Sequence, residues 1–186
     1  MIEVKPATAS RWSELAELFG PKGACAGCWC MWCRKPASEF SYGRGEQNRR
    51  ALKSLVDKGA EPGLIAYEKG RPVGWAALGP REEFRRLARA RILKPLDERP
   101  AWSVPCLFVA REHRGRGVAT ALLKAAAKRA RARGAKLIEG YPVDTRGKKS
   151  SDAFIWWGTV SAFKKAGFSV VKRPSKARAI VRKELR

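Results

Sequence analysis

Val109 to Lys124, VAREHRGRGVATALLK, joins an apolar run, a turn holding two glycines among basic side chains, and a run of helical period. A strand that enters a helix through such a turn leaves backbone N–H groups exposed at the positive end of the helix dipole, which is an anion site. Gly115 and Gly117 let the chain approach a phosphate closely, and Arg114 and Arg116 add side-chain charge. The same glycines also suit tight packing alone. The turn is not Gly-x-Gly-x-x-Gly and carries no Gly-Lys-Ser/Thr, so neither the dinucleotide nor the nucleoside triphosphate loop is present.

The flanks extend this unit. AWSVPCLFVA before the turn predicts one strand, RGVATALLKAAAKRARARG a long helix closed by Gly134, and AKLIEGYP a further strand, giving a right-handed βαβ unit with parallel strands. Upstream, IEVKPA predicts a strand and SRWSELAELFG a helix capped by Ser10 and stopped by Gly20. EQNRRALKSLVDKG predicts a second helix, and GLIAYEKGRPVGWAALG a hairpin turning at Gly70. Residues 81–100 predict a short helix and an exposed loop, WWGTVSAFKKAG a last helix, and FSVVKR with ARAIVRKEL two closing strands. The expectation is one mixed α/β domain over residues 1–186, long enough to bury its own core.

No apolar run approaches the roughly 18 residues of a membrane span, and MIEVKPATAS does not read as a secretory signal, so a cytoplasmic protein without membrane attachment is expected. Forty Lys and Arg against 17 Asp and Glu give a formal charge of +23, a field that attracts polyanions without choosing among them. Lys124, Lys128, Arg129, Arg131 and Arg133 fall on the long helix, where a solvated outer face explains them and a nucleic-acid surface is the rival explanation.

Arg114-Gly115-Arg116-Gly117-Val118-Ala119 fits the signature Arg/Gln-x-x-Gly-x-Gly/Ala, and FKKAGF (Phe163 to Phe168) fits a common ending, of the GNAT acyltransferase superfamily, which the chain resembles over nearly its whole length. The resemblance implies a central twisted sheet of about six to seven strands flanked by helices. It implies acetyl-coenzyme A as co-substrate, with the pyrophosphate held by Arg114, Gly115, Arg116, Gly117, Val118, Ala119 and Thr120, and the pantetheine arm seated where strands splay beside Leu107, Phe108 and Val109. It also implies direct attack of an amine on the thioester, with a backbone N–H near Phe108 or Val109 stabilising the oxyanion.

Many family members protonate the leaving thiolate with a Tyr four residues before the closing glycine; this chain has Phe163 there. The candidates for proton transfer are Tyr141, Glu139 and Cys106. Glu139 and Tyr141 share a strand face by period-two alternation, whereas His113 lies in the approach to the phosphate loop. A packed aromatic and a small buried thiol are the plainer roles for Tyr141 and Cys106.

Cys25-Ala-Gly-Cys-Trp-Cys-Met-Trp-Cys33 has metal-like spacing, but one residue between the inner cysteines makes it hard for four sulfurs to surround an ion, so no metal is expected. A bacterial GNAT subgroup is similar in carrying a Cys-Trp-Cys-Met-Trp segment, a WSV-x-C strand like Trp102 to Cys106, and EGYPVD like Glu139 to Asp144. In such folds this region roofs the acceptor site, which makes Trp29, Cys30, Met31, Trp32, Tyr141, Trp156 and Trp157 the candidate acceptor wall, suited to a flat or cationic amine. Ordinary core packing accounts for the same aromatics. The expected partner is a small-molecule amine, with tRNA or protein as an alternative acceptor, a non-catalytic nucleic-acid module as a further alternative, and a monomeric or homodimeric state.

Overall fold

In the computed structural model, which describes residues 1–145 and 156–186, helices pack on both faces of a layer made of two hydrogen-bonded sheets. The first sheet has the order β1 (Ile2–Pro6), β2 (Gly63–Glu68), β3 (Arg71–Ala77), β6 (Leu107–Val109), all antiparallel. The second runs β4 (Gly79–Pro80), β5 (Trp102–Val104), β7 (Leu137–Gly140), β9 (Arg178–Glu184), β8 (Ser169–Ser175). The predicted hairpin is β2–β3, closed by Lys69 and Gly70 at φ +50° and +76°, the left-handed pair that matches strand twist.

The run predicted as one strand, 101–110, is broken at Pro105-Cys106. β5 pairs in parallel with β7, whereas β6 leaves that sheet to pair with β3, Trp75 opposite Phe108. Pro105 has no N–H to donate, so the ladder cannot run through it. The described residues thus hold nine strands in two sheets, where about six to seven in one were expected.

α5 (Val118–Ala132) supplies the predicted βαβ crossover from β5 to β7. Leu122, Leu123, Ala126, Ala127 and Ala130 bury one of its faces, and the alanines let it lie close to the sheet. Lys124, Lys128, Arg131 and Arg133 are exposed on the other, while Arg129 reaches Glu61. Period-two alternation in β2 divides the core, Leu64 and Ala66 facing α5 and Ile65 and Tyr67 facing the cysteine-rich segment with α1 (Trp12–Phe19); in β3 a register shift at Val73 breaks the period, so that Val73 joins Ala76 on the α5 side and Trp75 lies on the other.

Three boundaries differ from expectation. Ser10 lies in a 3-10 turn, Ala9–Arg11, and makes no cap, because the chain tightens before α1 begins. A six-residue helix, α2 (Ala37–Tyr42), precedes α3 (Glu46–Asp57). After α4 (Arg85–Arg89), the last helix, α6 (Val160–Lys165), starts beyond Trp156 and Trp157, since Thr159 Oγ1 accepts the Ala162 amide and sets the N-terminus there.

Gly140 at the end of β7 lies against the Phe163 ring, and a methyl group added there would overlap it. Gly140→Ala is expected to destabilise the fold by about 1–3 kcal/mol through overpacking, read as a lower urea midpoint at unchanged m.

Candidate active site

β6 leads through Arg111–His113 into the glycine turn, where Gly115 and Gly117 take φ +76° and +85° immediately before Val118 opens α5. Both glycines are exposed, and no atom lies within 4 Å of where a side chain on either would begin. The turn is therefore open, and positive φ rather than crowding calls for glycine there. The first amides of a 15-residue helix lack intrahelical partners and carry its positive end. Val118 itself is buried, so it can offer a ligand only its backbone; Ala119 and Thr120 are half-buried. Arg114 Nε donates to the Val109 carbonyl at 3.0 Å, and Arg116 extends exposed, 3.8 Å from Glu68. His113 Nδ1 meets Glu68 at 2.7 Å, a loop anchor away from the cavities described below.

The β3–β6 register fixes where the strand's amides point. Ala77 donates to the Cys106 carbonyl and Ala110 to that of Val73, each at 2.9 Å, so ladder bonds fall on residues 106, 108 and 110. The amides of Leu107 and Val109 then face away from β3, toward the side where β5 has diverged. Of the two amides considered for the oxyanion, the Val109 N–H is available and the Phe108 N–H is committed to the sheet.

Beside this strand lies a cavity of about 200 Å³. Cys106, Leu107 and Phe108 form one wall, Cys30, Trp32 and Trp156 part of the other, with Phe40 and Arg44 between. A second cavity, about 410 Å³, shares Trp32 and Trp156 with the first and adds Trp157, Arg86 and Arg178. Arg44, Arg86 and Arg178 had no distinguishing signal among forty basic residues. The Trp32 face is covered by the Arg86 guanidinium at 4.1 Å and the Trp157 face by Arg178 at 4.6 Å. These two rings thus already carry a cation supplied by the protein itself.

The cysteine segment winds into a compact loop, with Ala24, Ala26, Trp29 and Cys30 all in the left-handed region. Trp29 stacks on Trp12 and edges onto Phe19, and with Met31 it is buried and lines neither cavity, whereas Cys30, Trp32, Trp156 and Trp157 do line them. The five cysteines are free thiols, and among the described residues no three His, Cys, Asp or Glu are grouped to hold a metal ion. Cys30 Sγ accepts from the Cys106 thiol and from Trp75 Nε1 at 3.0 Å. Those donors hold the Cys30 thiol below its ordinary range, and the bond to Cys30 followed by burial holds Cys106 well above it.

Glu139 and Tyr141 line neither cavity. Strand register sets Ser103, Glu139 and Arg182 side by side across β5, β7 and β9. Glu139 Oε1 accepts from Tyr141 Oη at 3.0 Å and Arg81 Nε at 3.3 Å, and Oε2 accepts from Arg182 Nε at 2.6 Å. The Ser103 hydroxyl completes the row at 2.9 Å from Tyr141 Oη. Burial and then the Glu139 charge raise the Tyr141 phenol far above its ordinary value. Neither side chain is placed to exchange a proton with a ligand in the cavities: the carboxylate is committed to two guanidiniums and a phenol. Of the three proton-transfer candidates, Cys106 lines a described cavity and Glu139 and Tyr141 do not.

Glu139→Gln leaves two buried guanidiniums undercompensated and is expected to cost about 3–5 kcal/mol. Tyr141→Phe removes one buried hydrogen bond and is expected to cost about 1 kcal/mol. Urea denaturation of both variants measures the difference.

A model of the acetyltransferase (GNAT) family matches residues 29–154. No curated protein matches the chain's sequence. Among solved structures, a polyamine N-acetyltransferase from Drosophila melanogaster superposes with TM-score 0.58 at 15% identity, covering 100% of both chains. The paia N-acetyltransferase from Thermoplasma acidophilum, solved with coenzyme A, gives 0.52 at 16% identity over 99% of both. The protein yncA from Salmonella typhimurium, solved with its cofactor acetyl-CoA, gives 0.55 at 16% over 100% of this chain and 94% of that one. With the family model spanning more than half of the chain, from the cysteine segment through the glycine turn and beyond β7, this protein belongs to the GNAT acetyltransferase family.

Proposed function

We propose that the chain, as a single domain, transfers an acetyl group from acetyl-coenzyme A to a primary amine of a small molecule by direct attack. The observation that carries this is the open Gly115–Gly117 turn at the head of α5, continuous with a strand whose outward amides border an apolar cavity. Neighbours in fold named for agmatine and for polyamines support an amine as acceptor, and those solved with coenzyme A or acetyl-CoA support the co-substrate.

The residues present fit that co-substrate: the turn is vacant where a phosphate must approach, and Arg114 and Arg116 flank it. Bound there, acetyl-coenzyme A supplies the acetyl group as an activated thioester. Amides of residues 115–120 would hold the pyrophosphate, the Leu107 amide would hold the arm, and the Val109 N–H would polarise the carbonyl where negative charge develops. Among the described residues no carboxylate lines either cavity, so no side-chain base is assigned. The Arg44 guanidinium instead favours the neutral form of an incoming amine, and once that amine has attacked the thioester carbonyl the positively charged nitrogen so formed gives its proton to water. Of the three proton-transfer candidates Cys106 is the one on the cavity wall, and its thiol is assigned to turn from Cys30 to the leaving sulfur and protonate it, recovering the proton from water.

A nucleic-acid acceptor has one observation in its favour, the exposed row Lys124, Lys128, Arg131 and Arg133 on α5. Phosphate contacts of that kind predict affinity for tRNA that falls steeply with salt.

Gly117→Glu places a carboxylate against the phosphate position and forces a side chain into positive φ. Calorimetry is expected to show at least about 100-fold weaker acetyl-CoA binding, and unchanged affinity in the folded variant contradicts the assignment of the turn. Cys106→Ala is expected to lower kcat by about 100-fold in a thiol-release assay with coenzyme affinity retained.

A further inference from the structure

We infer that the second cavity, walled by Trp32, Trp156 and Trp157 and headed by Arg86 and Arg178, holds a carboxylate of the acceptor, so that the substrate class is an amine bearing a carboxylate on an apolar or aromatic body. The inference rests on the acetyl-transfer reading and adds to it the identity of the group opposite the amine.

Arg86 carries the argument. Its Nε and Nη2 are buried and have no hydrogen-bond partner among the described residues, although its guanidinium is held flat on Trp32 and lies 5.5 Å from the Phe40 ring. Buried donors without partners are rare in folded proteins, and here they belong to a charged group at the edge of an open cavity. Burial lowers the Arg86 pKa, which marks the same lack of a nearby counter-charge. Arg178 comes from β9 on another side; its Nη1 donates to the Tyr141 carbonyl at 2.8 Å and its plane lies on Trp157.

No Asp or Glu lines this cavity or its neighbour among the described residues. Among the described residues an acceptor with a second ammonium would find only like charge there, whereas a carboxylate would give Arg86 and Arg178 the counter-charge they lack in the cavity. The remaining lining, Leu87, Ala90, Ile92 and Leu93, offers an apolar body no polar partner and suits a hydrocarbon or ring. Because Trp32 and Trp156 line both cavities, a molecule anchored by its carboxylate in one directs its other end toward the Cys106–Phe108 wall of the other.

Titration of the full-length protein by calorimetry with 3-phenylpropionate and with phenethylamine, which share a ring and differ in charge, tests this. The carboxylate is expected to bind at least about 10-fold more tightly. Arg86→Gln is expected to erase the preference and Arg86→Lys, which keeps the charge but loses the planar fork, to retain only part of it, with acetyl-CoA affinity unchanged in both. In thiol release from acetyl-CoA, 4-(2-aminoethyl)benzoate, whose carboxylate lies across the ring from its amine, is expected to exceed phenethylamine by about 10- to 100-fold in kcat/KM. Equal or tighter binding of the amine, or a preference that survives Arg86→Gln, overturns the inference. Absence of acetyl-CoA binding in the unaltered protein removes the acetyl-transfer reading instead, and the two titrations without coenzyme still decide whether the cavity selects carboxylates.

Discussion

The parting of β5 from β6 at Pro105 is the constraint on which the rest of the arrangement depends. Two strands that would continue one another instead join different sheets, one held by β7 and the other by β3. A backbone that diverges this way leaves unpaired amides facing a gap, and exposed strand groups of that kind need partners. α5 fixes one end of the gap by packing Val118 and Leu122 against Gly74 of β3, where a larger residue would push the helix off the sheet. The glycine turn is consequently delivered to the end of the strand whose amides are free, and cavity, turn and strand form one continuous surface.

Holding the second sheet together falls to a buried charged row in a protein with a large positive excess. Glu139 is 2% exposed, and such a carboxylate is tolerable only with full compensation, which Arg81, Arg182 and Tyr141 provide. Arg182 continues the row outward to Asp97, at 2.6 Å. Acidic side chains are scarce here, and this one is spent on registering β5, β7 and β9 rather than on proton transfer.

The legible parts of the sequence were those whose determinants are local. Gly70 announced the hairpin, and Gly117 with the alternating Leu and Ala of α5 announced the turn and crossover. The break at Pro105 was hidden because both halves of AWSVPCLFVA are apolar and carry the same composition as an unbroken strand. α2 has only six residues, too few to establish a period. Glu139 and Tyr141 looked catalytic because a lone carboxylate in an apolar strand has no visible partner; its partners lie 58 residues upstream at Arg81 and 43 downstream at Arg182. Trp32, Trp156 and Trp157 were identified as wall residues, but the guanidiniums resting on them come from α4 and β9, and no local signal ties those arginines to those rings.

Trp32 and Trp156 meet edge to face at 4.9 Å and stand between the two cavities as a shared partition. Any displacement of that partition by a molecule on one side alters the volume open to a molecule on the other. Occupancy of the two chambers is therefore thermodynamically linked, and whatever factor one ligand imposes on its neighbour's affinity is returned to it unchanged. For a two-substrate protein, how strongly each substrate's affinity depends on the presence of the other becomes a property of two indole rings.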